Sequence, residues 1–256
     1  MATALRCLTI IAAILLLALF LTPTLHAAPP HSSAADMTLL NAANRDRAAA
    51  GLPALQWDAA LAASAHQHAV RMAQANTLSH QFPGEPAMQD RARQAGARFS
   101  LIAENVAEGP SVSGLHIQWM NSPPHRANLL DPELNSVGIS VVQSGNMLFA
   151  VEDFSAAVPS LTLDAQEQQV ASQLAAHGLH VVNASSDARK TCELDRGYAG
   201  QKPSGVLRYE VSSLTRLPDD IEQKVVSGKY HRAAVGACEA VDSAEFAHFR
   251  IAILLY

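Results

Sequence analysis

The spacing of the apolar residues changes once along this chain, and the change decides which class of fold is open to it. In the first part they recur every three to four positions, as in Leu61, Ala62, Ala65, Ala69, Met72 and Ala73, a stripe that closes only on an α-helix. From Val137 the pattern passes to continuous apolar runs: residues 137–142, a Ser144-Gly145-Asn146 turn, then residues 147–154. This reads as an antiparallel hairpin. The stripe on the helix is built of small residues, which suits close packing on a sheet, so the chain is expected to be a mixed α/β (α+β) protein.

Local punctuation places the other elements. Residues 37–45 are apolar on one side and polar on the other, and Gly51 and Pro53 stop them, giving a first helix. Asp58 is an N-cap for the striped helix, which runs to about Asn76. Phe82-Pro83-Gly84 breaks the pattern, a short helix follows over residues 87–95, and Ser111 caps another through Trp119 and Met120, ending in Ser122-Pro123-Pro124. Residues 156–160 read as a linker. Beyond it the sequence predicts a helix over residues 164–177, strands near Val181, Leu207, Val235 and Ile251, and a helix over residues 218–227. Each half ends in a strand pair, yet no repeat of fixed period emerges. The expected organisation is a leader over residues 1–28, a first domain over 36–156 and a smaller α+β region over 161–256.

The leader is read from Arg6, the apolar run of residues 8–21, Pro23 and the small residues at Ala27 and Ala28. The run is short for a bilayer span, so a cleaved secretory signal is expected, with an uncleaved anchor as the alternative. Cleavage discards Cys7 and leaves Cys192 and Cys238, an even count in an oxidising compartment, and these are expected to pair. Two buried thiols without a bond are the other reading. A bond closing a loop of roughly 45 residues stabilises by about 4 kcal/mol on the chain-entropy argument. The formal net charge of −5 is spread along the chain and no Lys/Arg-rich run interleaved with aromatics occurs, so nucleic acid is not an expected partner. No stable membrane span is expected once the signal is removed.

The polar residues that could carry chemistry cluster between Leu78 and His125, in the segments Leu78-Ser79-His80, Ala103-Glu104-Asn105-Val106-Ala107-Glu108-Gly109 and Trp119-Met120-Asn121-Ser122-Pro123-Pro124-His125-Arg126-Ala127-Asn128-Leu129-Leu130. These segments read as loops or helix ends, where function concentrates. In this order, between the leading helix and the terminal hairpin, they resemble the bacterial branch of the CAP superfamily, which includes the cysteine-rich secretory proteins, antigen 5 and the plant pathogenesis-related proteins. The resemblance covers about residues 37–154. It implies a three-layer α-β-α sandwich in which two histidines and one or two glutamates face a groove, and by motif these are His80, Glu104 and His125. The chain departs from the fuller pattern at Ser122, where a second glutamate is expected, and the spacing does not require Glu108 or Glu152 to replace it.

Two imidazoles and a carboxylate suit a borderline divalent ion such as zinc with a position left for water, and His80 and His125 are the candidate metal ligands. The same set can move protons, or can simply hold loops together. His66 and His68 lie two apart and so face different sides of a helix, His116 reads as a surface residue, and Trp57 and Trp119 read as core or groove wall. There is no Gly-x-Ser-x-Gly elbow and no Gly-rich phosphate loop. The expected function is an exported binding module for a divalent ion or a lipid, peptide or glycan. A metal-dependent hydrolase in which Glu104 activates water is the rival, and an envelope-adhesion protein a third possibility. Mass spectrometry of the exported protein is expected to find a chain beginning near Ala28; an intact Met1 would contradict the leader.

Overall fold

Ser33 opens the first helix, α1 (Ala34–Ala49), with a reciprocal cap: its hydroxyl accepts from the Asp36 amide and the Asp36 carboxylate accepts from the Ser33 amide. The structure, a computed structural model, describes residues 32–182, 186–240 and 246–256. The expected leader, with its Cys7, lies outside the described residues. After β1 (Gln56–Trp57), Asp58 caps α2 (Ala59–Ala75) by accepting from the Ala60 and Leu61 amides. Helix α2 stops at Asn76, whose φ of 49° is left-handed. Then come α3 (Met88–Gln94), β2 (Phe99–Gly109), α4 (Val112–Asn121), α5 (Pro123–Leu129), β3 (Ser136–Ser144) and β4 (Met147–Ala157).

The strands form a sheet of order β1-β3-β4-β2, with β1 parallel to β3 and the other pairs antiparallel. Strand alternation separates its two faces. On one, Val106, Phe149 and Val151 meet Ala65, Ala69 and Met72 of α2. On the other, Val137, Ile139 and Phe154 meet Leu39 of α1, Trp119 of α4 and Leu129 of α5. This is the expected three-layer sandwich, and each fully buried Leu, Ile or Phe contributes about 1.5–3 kcal/mol. One segment was misassigned at the level of sequence: residues 103–109, with Glu104 among them, lie in β2, an edge strand, and not in a loop or at a helix end. Its Asn105 and Glu108 break the apolar alternation that would have marked a strand.

The remainder forms α6 (Leu163–Ala176), β5 (His180–Val182), α7 (Ser186–Glu193), β6 (Gly205–Val211), α8 (Asp219–Val225), β7 (Arg232–Cys238) and β8 (Phe249–Leu255). These strands make a second sheet of order β5-β7-β8-β6, in which β5 is parallel to β7 and the rest are antiparallel. Strand order and strand directions match the first sheet, a repetition that sequence periodicity did not disclose. Cys192 of α7 is bonded to Cys238 of β7 with Cα atoms 5.7 Å apart, as expected. The sheets meet where the Ala247 amide donates to the Phe99 carbonyl at 2.8 Å and Phe246 packs edge-on against Phe99. Among the described residues, no helix is long and apolar enough to cross a membrane.

Helix α2 approaches β3 most closely at Gly138, where a Cβ would lie 1.9 Å from the Ala62 amide nitrogen. Backbone cannot yield there as a flexible side chain can. Gly138→Ala is therefore expected to destabilise the protein by about 3 kcal/mol or more, or to prevent folding. Gly114→Ala, where a Cβ would meet only the Ser111 hydroxyl, is expected to stay well below that loss in denaturant melts.

Candidate functional site

Because β2 is an edge strand, groups from both outer layers reach it. Glu104 projects to the α2 side and Asn105 to the α4/α5 side. His80 stands in the loop that leaves α2, and that loop is pinned from beneath. His68, wholly buried on α2, places Nδ1 2.8 Å from Glu85 Oε1 and Nε2 2.7 Å from the Ser79 carbonyl, while the Phe82 amide donates to Glu85 Oε2 at 2.9 Å. Burial alone would raise the Glu85 carboxyl, but its hydrogen bonds from His68 and Phe82 outweigh that and hold it below its ordinary value.

His80 Nδ1 donates to Glu104 Oε1 at 2.8 Å, and the Arg91 guanidinium of α3 donates to Glu104 Oε2. The Glu104 side chain is only 4 % exposed, whereas that of His80 is 61 % exposed. The carboxylate is thus an internal post and the imidazole an open surface group. Arg91 Nη1 also lies 4.0 Å from Glu85 Oε1, so one chain of ionic contacts runs from His68 through Glu85, Arg91 and Glu104 to His80. Removing an interior member, Arg91 or Glu104, would leave a buried charge uncompensated, whereas the exposed His80 ring can go while Arg91 still pairs Glu104.

His125 enters from the opposite layer. Pro123 and Pro124 open α5, where a missing amide hydrogen does no harm, and set the entry of His125 into the helix. Asn105 holds it there by donating to the His125 carbonyl at 3.1 Å. The Asn105 amide also contacts Glu152 Oε2 at 3.4 Å, and Asn128 Nδ2 donates to Asn105 Oδ1 at 2.9 Å and to the Glu104 carbonyl at 3.3 Å. Asn105 is therefore the joint between the two halves of the site. It stood in the quoted Glu-Asn pair without a role; its strand position, which sends it to the face opposite Glu104, was the missing signal.

The two imidazoles differ electrostatically. The hydrogen bond to Glu104 is the main cause that raises His80 above its ordinary value, against an opposing effect of burial. Burial lowers His125, and the nearby His80 charge lowers it further. His80 and Glu104 meet at the β2 edge, and His125 is tied to the same strand through Asn105. Among the described residues, no group of three or more His, Cys, Asp or Glu side chains is arranged to hold a metal ion. With both Glu104 oxygens engaged, two imidazoles are the direct donors that remain.

The other candidates lie apart. His66 Nδ1 meets the Ser140 hydroxyl at 3.1 Å, and His116 Nε2 meets Asp46 at 2.6 Å. Trp119 is core, its indole donating to the Val106 carbonyl at 3.0 Å. Ser122 is the junction of α4 and α5. Glu108 is four residues along β2 from Glu104, roughly 13 Å at strand rise. Glu152 is wholly buried beneath Asn105 and supplies no exposed carboxylate.

A sequence profile of the cysteine-rich secretory protein family, CAP, matches residues 40–154, the span that builds the first sheet and the site. The chain carries a CAP domain. It is similar to the uncharacterized protein YkwD of Bacillus subtilis, 32 % identical over 127 residues, which is 49 % of this chain and 49 % of that protein. The uncharacterized membrane protein YlbC of the same organism is 32 % identical over 108 residues, or 40 % of this chain and 30 % of YlbC. Among solved structures, an extracellular SCP-domain protein of Bacillus anthracis is 30 % identical with a TM-score of 0.44, covering 47 % of this chain and 40 % of that one. The chain thus spans half or less of the length of these relatives.

The CAP-domain imidazoles are expected to titrate apart in NMR, His80 above and His125 below about 6.5. Glu104→Gln should bring His80 back down. The linked stabilities have opposite signs: the His80 contact contributes below about pH 6.5 and is lost as pH rises through its folded value, whereas His125 begins to destabilise as pH falls below about 6.5.

Proposed function

We propose that this is an exported CAP-domain protein whose His80–His125 edge holds a divalent ion of the zinc class and, through it, a ligand, with Glu104 orienting the first imidazole. The observation that carries the reading is the pairing of an exposed His80 ring with a buried carboxylate on its Nδ1. A histidine ligand commonly donates its other ring N–H to such a carboxylate, which fixes the tautomer and raises the basicity of the nitrogen that faces the metal. Burial keeps His125 neutral to lower pH, the form that donates to a metal.

A bound ion of this kind would supply a Lewis-acidic anchor for an oxygen of a lipid, peptide or glycan. Two imidazoles leave several positions open, which fits reversible ligand capture better than a closed structural site. The hydrolase alternative asks Glu104 to take a proton from water, and both of its oxygens are already committed to His80 and Arg91. Binding is therefore the favoured activity. Export is supported by the leader features in the sequence and by the Cys192–Cys238 bond, which belongs to an oxidising compartment.

Isothermal titration of the mature protein with zinc is expected to give one site per chain, abolished by His80→Ala and His125→Ala with less than about 1 kcal/mol change in stability. Affinity should weaken as pH falls through the raised His80 value, since the proton competes for the ring. Absence of zinc binding in the wild-type protein would overturn the reading, and metal-dependent turnover in a peptidase and esterase screen would favour the hydrolase.

A further inference from the structure

The two sheets can be aligned row by row. In the first, Gly138 of β3 pairs with Asp153 of β4, and Asp153 with Glu104 of β2. In the second, Gly236 of β7 pairs with Ala252 of β8, and Ala252 with Arg208 of β6. Both glycines mark where a helix crosses the central strand: a Cβ at Gly138 would lie 1.9 Å from the Ala62 nitrogen of α2, and one at Gly236 2.1 Å from the Ala188 carbonyl carbon of α7. The next row is Ile139, Glu152 and Asn105 in the first sheet and Ala237, Ile251 and Tyr209 in the second. Two residues beyond each glycine the strand is tied to its helix, by the Ser140–His66 hydrogen bond in one half and the Cys238–Cys192 bond in the other. The opposite faces correspond as well, α6 and α8 covering the second sheet as α1, α4 and α5 cover the first.

We infer that residues 163–255 are a divergent second copy of the fold of residues 34–157, and that Glu152 and Asp153 are positioning residues of the His80–Glu104–His125 site which the fold itself does not require. The second copy is the internal control. It builds the same sheet with Ile251 and Ala252 where the first has two acids, and it carries Arg208 in the place of Glu104. An acid wholly removed from water destabilises a fold unless it is paired, and here pairing is incomplete. Glu152 Oε1, Asp153 Oδ1 and Ser155 Oγ are buried without a hydrogen-bond partner. Burial pushes the Glu152 carboxyl up to about 8, and burial followed by the Glu104 charge pushes Asp153 well above the usual carboxylate range.

Each acid stands directly behind one arm of the site. Asp153 accepts from the Ser64 hydroxyl at 2.8 Å and backs the Glu104 carboxylate across the strand pair, which aims the Glu104 oxygens at His80 and Arg91. Glu152 receives the Asn105 amide that grips the His125 carbonyl. A polar network that over-determines its members in this way fixes geometry that apolar packing leaves free. The inference rests on reading this edge as the functional site, but its test does not use the ion.

The test replaces the acids in the full chain by the residues of the second copy, Glu152→Ile and Asp153→Ala, beside the isosteres Glu152→Gln and Asp153→Asn. Thermal midpoints of the apolar variants are expected to equal or exceed that of the parent. Nitrogen-15 spectra of neutral His80 are expected to show the Nδ1–H tautomer losing population in Asp153→Ala, and hydrogen exchange of the α5 amides to quicken at least tenfold in Glu152→Ile. The isosteres should keep both signatures. A midpoint lowered by several degrees in the apolar variants would make the acids a requirement of the fold, and unchanged tautomer and exchange would remove their positioning role; either result overturns the inference. A wild-type protein that fails to bind zinc would refute the proposed ion and leave these readouts unaffected.

Discussion

The crossing of α2 over β3 at Gly138 is the contact on which the CAP domain depends. With no side chain at that point the helix backbone lies directly on the strand, and the small stripe of Ala65, Ala69 and Ala73 keeps it there for its length. That depth fixes what α2 carries inward. Ser64 reaches Asp153, and His68 reaches the loop that presents His80. A larger residue at position 138 would lift the helix and uncouple the loop from Glu104. Helix–sheet distance and site geometry are in this sense one quantity.

Buried charge is handled in two ways in the same domain. Arg47 of α1 is wholly buried and satisfied by backbone alone, donating to the carbonyls of Pro53, Leu129, Asp131 and Leu134. It ties α1 to the turn after α5 and does structural work in the layer opposite α2. Arg91 is equally buried but faces Glu85 and Glu104, so its charge is balanced by carboxylates that also hold the site. Full satisfaction by carbonyls makes a rigid staple. A chain of hydrogen-bonded and ionic side chains instead passes the position of one group on to the next, and at its end that group is an exposed imidazole.

The C-terminal half throws the first into relief. Its strand order, its glycine crossing and its helix layers are those of the CAP domain, while its central rows are apolar apart from Arg208, which donates to the Thr191 and Gly197 carbonyls. The covalent bond between Cys192 and Cys238 fastens α7 to β7, where a hydrogen bond suffices between α2 and β3.

How much of this was legible beforehand follows from which interactions are local. Helix limits were legible because caps and stripes lie within a few residues of one another: Asp58, Ser111 and the double proline before His125 each acted as read. So was the terminal hairpin, and so were the three segments bearing His80, Glu104 and His125, whose order and spacing are properties of the chain. The strand identity of β2 was hidden, because Glu104, Asn105 and Glu108 obey the demands of the site and so interrupt the alternation that marks a strand. Hidden too were the roles of His68, Glu85, Arg91 and Asn105, whose partners are brought to them only when α2, α3 and α5 close on the sheet edge. The repeated architecture escaped for the same reason, since what the halves share is strand pairing and a glycine crossing, while the residues between have changed from acids to Ile251 and Ala252. The sequence by itself determined the elements and the chemical groups on them; the tertiary structure decided which groups meet, because side-chain contacts across a sheet depend on register and helix depth, neither of which is written in the spacing of neighbours along a chain.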